Sequence, residues 1–150
     1  MRLEFALEMR LSLGSRMHIE VSPGYTRGAV LVEGGSFSGP GLSGTLVPGS
    51  GGDFPLVRAD GNGRFESQYL LKTDDGAFIL KRSTGVRHAP AEAVAKLLAG
   101  EQVDPGSYYM RMTPRFEAPA GPYEWLNRTI FVGVGQRNPE GSIFRFWKVV

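Results

Sequence analysis

The 150-residue sequence has no cysteine and only two histidines, His18 and His88. Without thiols there are no disulfide staples, no cysteine nucleophile and no thiolate metal site. Two histidines are too few for a histidine-rich centre, so no metal is expected. Excess charge of one sign is also missing: 17 Lys and Arg against 15 Asp and Glu give a net charge of +2, scattered along the chain. Nucleic-acid binding would need a basic stripe, and none is present. No apolar run approaches membrane-spanning length, and Arg2, Glu4, Glu8 and Arg10 interrupt the place where a secretion signal would carry its apolar stretch. The expectation is a cytoplasmic protein with neither nucleic acid nor membrane as partner. Its length suits one domain spanning residues 1–150, large enough to bury a core unaided.

What is plentiful is punctuation. There are 21 Gly and 10 Pro in a chain that is 41% hydrophobic, which favours many tight turns between strands. One glycine-rich stretch, Gly39-Pro-Gly-Leu-Ser-Gly44, fits the G-x-G-x-x-G dinucleotide fingerprint, with Asp60 about 20 positions further on. That fingerprint needs a helix opening at its third glycine, because the pyrophosphate rests on the helix N-terminus. Here Thr45-Leu-Val is followed at once by Pro48-Gly49, which stops a helix. The motif fails in context, and no cofactor is expected.

The N-terminal run LEFALEMRLSL consists largely of good helix formers, yet Leu3, Phe5, Leu7, Met9, Leu11 and Leu13 alternate with polar residues. A period of two gathers them on one face of a strand and scatters them around a helix, so a strand is expected, closed by a turn near Gly14-Ser15. The glycine-rich run from Gly34 to Gly52 keeps Phe37, Leu42, Leu46 and Val47 at intervals and is read as an ordered strand with bulges. FESQYLLKT and AFILKR flank Asp74-Asp75-Gly76, a hairpin signal. HAPAEAVAKLLAG is the one convincing helix, with Pro90 at its first position and Gly100 closing it. Three further extended runs follow: SYYMRMTPRFEA, YEWLNRTIFVGVGQR and SIFRFWKVV. Eight to ten strands and a single helix predict an all-β fold, a closed or nearly closed antiparallel β-barrel with one short α-helix.

A barrel of this size can enclose one small ligand, so ionisable residues inside strand-like segments become the candidates. Arg58, Asp60, Arg87, Arg111, Arg115 and Glu117 sit within or beside apolar strands. Arg58 with Asp60, or Arg115 with Glu117, also fits a simple ion pair at a turn or rim. Tyr109 and Arg111 share one face of their strand and Tyr108 and Met110 the other; alternation does not say which is inside. Trp125, Asn127 and Thr129 share a face in the same way. His88 reads as a hydrogen-bonding residue at the helix start, His18 as solvated, and the Asp74-Asp75 pair as turn chemistry.

The ordered motifs VLVEGGSFSGPGLSGTLVPGSGGDF, VRADGNGRFESQYLLKTDDGAFI, GVRHAPAE, DPGSYYMRMTPRFEAP and YEWLNRTIFVGVGQR resemble the DUF3237 family, also called UPF0311, from about Arg27 onward. The resemblance implies a calycin-like (lipocalin-like) ligand-enclosing barrel and, through the family's recurrent polar positions, points to Asp53, Arg58, Asp60, Tyr69, Arg87, Tyr109, Arg115, Glu117, Trp125 and Asn127. Phe54 stands where many relatives carry Trp, and Ser50 where the pattern has Gly. The expected function is a cofactor-independent isomerase, cyclase or lyase for a small, partly apolar molecule. In it, Asp60 or Glu117 abstracts a proton, Tyr109 returns one, and Arg58 or Arg115 stabilises an oxyanion. Asp53, Phe54, Tyr69, Arg87, Trp125 and Asn127 complete the binding set. The alternative is a non-catalytic binder of a hydrophobic acid. Homo-oligomerisation is compatible with either.

Overall fold

The computed structural model describes residues 1–150. Ten strands form one sheet: β1 (Leu3–Ser22), β2 (Tyr25–Gly39), β3 (Leu42–Leu46), β4 (Gly52–Asp53), β5 (Leu56–Arg58), β6 (Gly63–Thr73), β7 (Phe78–His88), β8 (Tyr109–Glu117), β9 (Phe131–Asn138) and β10 (Gly141–Val149). Every pairing is antiparallel, and the path β1-β10-β9-β8-β7-β6-β3-β2 returns to β1 through a β1–β2 ladder. Eight strands therefore close a ring, and the fold is an all-β barrel. Its one α-helix, α1 (Ala91–Leu98), follows β7 and packs Val94 against the Gly61 turn. Pro90 is the N-cap and Gly100, at φ 74°, turns the chain out of the helix.

The glycine- and proline-rich middle of the chain is one wall strand broken into three. β3, β4 and β5 each pair with β2 on one side and β6 on the other. The breaks fall at the Pro48–Gly51 loop and at Phe54-Pro55, where proline leaves the ladder without a donor. The dinucleotide-like GPGLSG stretch is a hairpin whose two-residue loop is Pro40-Gly41, with Gly39 opposite Leu42. The Asp74-Asp75-Gly76 turn joins β6 to β7 as its sequence predicts.

Three expectations fail locally, each for a definable reason. The turn predicted near Gly14-Ser15 is a bulge: β1 runs on to Ser22, with a register shift against β2 between Leu13 and Arg16. A second shift against β10, between Phe5 and Leu7, flips the alternation, so Leu7, Met9 and Leu11 are buried while Leu3 and Phe5 lie outside. And Glu124–Arg128 forms a 3-10 helix, so Trp125, Asn127 and Thr129 do not share a strand face. The interior is otherwise well filled. Gly133 and Gly135 face inward, and the space a side chain would take there is occupied by Phe146, Met110 and Met112. Tyr69, Phe131, Phe144, Phe146, Leu71 and Ile79 are fully enclosed.

Candidate functional site

Alternation decides which polar groups enter the barrel. On β7 the inward positions are Ile79, Lys81, Ser83 and, toward the end, Arg87; on β6 they are Phe65, Ser67, Tyr69 and Leu71. Asp53 joins them because β4 slots between β2 and β6, and register then aligns Arg16, Val30, Asp53, Ser67 and Ser83 in one row across five strands. Arg16 enters that row only because the β1 bulge turns it inward. Arg137 closes the set from β9, where Phe131, Gly133 and Gly135 precede it on the inner face.

Lys81 is wholly enclosed. Its Nζ donates to Ser67 Oγ at 2.8 Å and Tyr69 Oη at 3.0 Å, and it lies 4.5 Å from the Tyr69 ring centroid, with Phe144 and Phe146 further out. Those ring faces and hydroxyls make a buried ammonium tolerable. Burial still pulls its pKa down to about 8, against a smaller upward pull from Asp53. Tyr69, equally enclosed, is pushed well above its ordinary value by burial and by Asp53. Asp53 is 8% exposed and its Oδ1 has no hydrogen-bond partner in the protein. Burial raises its pKa, and the charges of Lys81 and Arg137 counter that rise without cancelling it.

Beside Asp53 is a cavity of about 50 Å³ at the end of the barrel, lined by Arg16, Arg87, Arg137, Phe65 and Met110 among others. Arg87 Nη2 donates to the Gly61 carbonyl at 3.1 Å, and the Arg137 backbone N–H donates to Tyr108 Oη at 2.9 Å. A far larger concavity, about 730 Å³, lies by the β8–β9 junction, where only two residue pairs are in register. It is walled by Val86, Tyr109, Val132, Val134 and Trp147, and no buried ionisable group faces it.

The structure gathers Asp53, Tyr69 and Arg87 from the sequence candidates into or next to this interior end. It does not bring the others there. Asp60 is exposed, paired with Arg58 at 3.1 Å, and accepts from the Asn62 N–H as a turn residue. Glu117 lies on the outer face, paired with Arg82 at 2.8 Å. Tyr109 points outward, stacked on His88 at 4.9 Å with Arg111 over its ring. Met110, not Tyr109, takes the inner face of β8. Phe54 and Arg115 border a polar groove on the outer surface of β6–β8. Asn127 clamps Ala118, accepting from its N–H at 2.7 Å and donating to its carbonyl at 2.9 Å, while Trp125 packs on Phe131. Sequence reasoning missed Arg16, Lys81 and Arg137. Lys81 and Arg137 were findable, being two residues beyond apolar or glycine inner positions; Arg16 was hidden by the bulge. No group of three or more His, Asp or Glu lies together in a way that would hold a metal ion.

The profile of the family described as "Protein of unknown function (DUF3237)" matches residues 1–149. The chain belongs to the DUF3237 family. Among DUF3237 relatives, the UPF0311 protein RPA1785 of Rhodopseudomonas palustris is 37% identical over 131 residues, covering 87% of this chain and 84% of that one. Its crystal structure superposes with a TM-score of 0.91 over 99% of this chain and 98% of that chain, at 31% identity in that alignment. A β-barrel-like protein of Acinetobacter baumannii AYE superposes with a TM-score of 0.84 at 32% identity, over 98% and 94% of the two chains. More distantly, the hydroalkoxylation enzyme phnH of Penicillium herquei is 25% identical over 147 residues, 98% of this chain and 83% of that one. No helix in the DUF3237 chain described here is long and apolar enough to cross a membrane.

Proposed function

We propose that this protein is a cofactor-independent acid–base enzyme, of isomerase, cyclase or lyase type, acting on a small, partly apolar molecule at the Asp53 end of the barrel. The observation that carries this reading is Asp53 itself: a carboxyl group buried at a cavity wall, with one oxygen unpartnered and a pKa raised by burial. Raised basicity is what a carboxylate needs to take a proton from carbon or hydroxyl near neutral pH. The name of the distant relative phnH is consistent with this chemistry. Hydroalkoxylation adds O–H across C=C, and within one molecule it is an isomerisation needing only proton movement. Asp53 takes the hydroxyl proton as oxygen bonds to one carbon, then returns it to the carbon that gains hydrogen. Lys81, held by Ser67 and Tyr69, is a positioning residue that keeps positive potential behind Asp53. Asp60, Glu117 and Tyr109, the sequence-based choices, have no part in this scheme. We place the activity in a single cytoplasmic domain of residues 1–150.

The test uses (E)-6-hydroxyhex-2-enoate, a small acid that closes to tetrahydrofuran-2-ylacetate by adding its hydroxyl across the conjugated C=C and loses its vinyl proton resonances as it does so. Wild type should accelerate closure and Asp53→Asn should not, with circular dichroism confirming that the variant folds. Equal rates for the two would remove Asp53 as the base. Retained ligand binding without turnover by wild type would favour the non-catalytic binder.

A further inference from the structure

Arginine side chains that serve only stability are paired or solvated, and most in this molecule are one or the other. Arg2, Arg10, Arg58, Arg82, Arg128 and Arg145 each form an ion pair with a carboxylate. Arg16, Arg87 and Arg137 do not, although they line the same small cavity and each is half-buried or more. Arg16 Nε is buried without any hydrogen-bond partner. The three also act on one another: burial, then the charge of Arg137, pull the pKa of Arg16 and Arg87 below the usual guanidinium value. Three like charges held together in a partly desolvated place cost stability, and such a cost persists where a ligand of opposite charge offsets it.

From this geometry we infer that Arg16, Arg87 and Arg137 form an oxyanion-recognition subsite, and that the substrate is an organic acid whose carboxylate or phosphate sits among them. Guanidinium forks match both groups in planar, two-pronged fashion. A cavity of about 50 Å³ takes such a headgroup and little more. The headgroup then packs against the apolar inner wall, Phe65 and Met110, and the rest of the ligand leaves past the partly exposed rim at Pro55, Val57 and Gly63. That places the atom next to the acid group against Asp53, which shares the cavity wall. A carbon alpha to a carboxylate is acidified when the resulting negative charge is delocalised toward bound guanidinium groups, so the subsite would both anchor and activate. Calling the bound acid a substrate rests on the acid–base reading of Asp53; the subsite itself does not.

Calorimetric titration at constant ionic strength with benzoate, inorganic phosphate and the uncharged benzamide tests the inference. Benzoate or phosphate should bind and benzamide should not, and the stronger of the two identifies the headgroup. Arg137→Gln and Arg16→Gln should each weaken binding about tenfold or more. Arg137→Lys should recover part of it. Asp53→Asn should bind the anion as well as wild type or better, because a nearby carboxyl charge is removed. The unliganded Gln variants should melt no lower than wild type, a pattern that arginines with a purely structural role would reverse. Absence of binding by both anions, binding of benzamide equal to benzoate, or binding that survives both Gln variants would overturn the subsite. Anion binding with no Asp53-dependent turnover would support the subsite and remove the acid–base reading alone.

Discussion

Lys81 and Arg82 are adjacent on β7 and carry the same charge, yet they meet opposite conditions. Arg82 points outward and is satisfied by Gln68 and Glu117 in contact with solvent. Lys81 points into the barrel with no carboxylate in contact, only two hydroxyls and aromatic faces. The same contrast separates Asp60 and Glu117 from Asp53. Outer-face charges are paired, accessible and cheap to keep. The inner set is desolvated, short of partners and expensive, and such a set is where chemistry is to be sought.

The contrast is broken most directly at the carboxylates. Asp53→Asn should cut turnover of a cyclising substrate by about a hundredfold or more, the range lost with a general base, while Asp60→Asn and Glu117→Gln stay within about twofold. A loss with either outer variant would return the site to the barrel surface. Next comes packing. Phe146→Ala, which empties a wholly enclosed position beside Gly133, should cost about 3–5 kcal/mol in denaturant titration, whereas outward Tyr109→Ala should cost about 0.5 kcal/mol.

The third effect is a pH dependence of stability. With Lys81 lowered from 10.5 to about 8 in the folded state, both states are protonated below pH 8. Between pH 8 and 10.5 the unfolded chain binds the extra proton, so stability should rise with pH through that window, by up to about 3 kcal/mol. Lys81→Met should abolish the rise. A flat wild-type profile would mean that Lys81 is not buried as described. Smallest is the outer ion pair: a double-mutant cycle on Arg82 and Glu117, both more than half exposed, should give a coupling of about 0.5 kcal/mol that fades in high salt.

Much of the barrel was legible because period two survives in sequence. FESQYLLKT, AFILKR and YYMRMTPRFE show it, and the Asp-Gly turn pins the β6–β7 register. Where the reading failed, backbone irregularity had intervened. The bulge after Phe5 sends Leu3 and Phe5 outside, the bulge before Arg16 sends that arginine inside, and the 3-10 helix at Glu124–Arg128 replaces part of a predicted strand. The candidate site was less legible than the fold. An alternating strand has two faces, and for β8 nothing local said whether Tyr109 or Met110 was the inner one. Asp60 and Glu117 looked chemically promising beside apolar strands, but Asp60 sits in the exposed turn after β5 and Glu117 falls on the solvated phase of the β8 alternation.

Composition and alternation alone settled that the chain would be a glycine-punctuated all-β protein with one helix and no thiol chemistry, because those properties depend on neighbours a few residues apart. Which face of each strand is inside, and that Arg16, Asp53, Lys81, Arg87 and Arg137 converge from four strands, depended on ring closure and on single-residue bulges. A one-residue slip inverts every side chain beyond it, so convergence of this kind is decided by pairing between distant strands and only in the folded molecule.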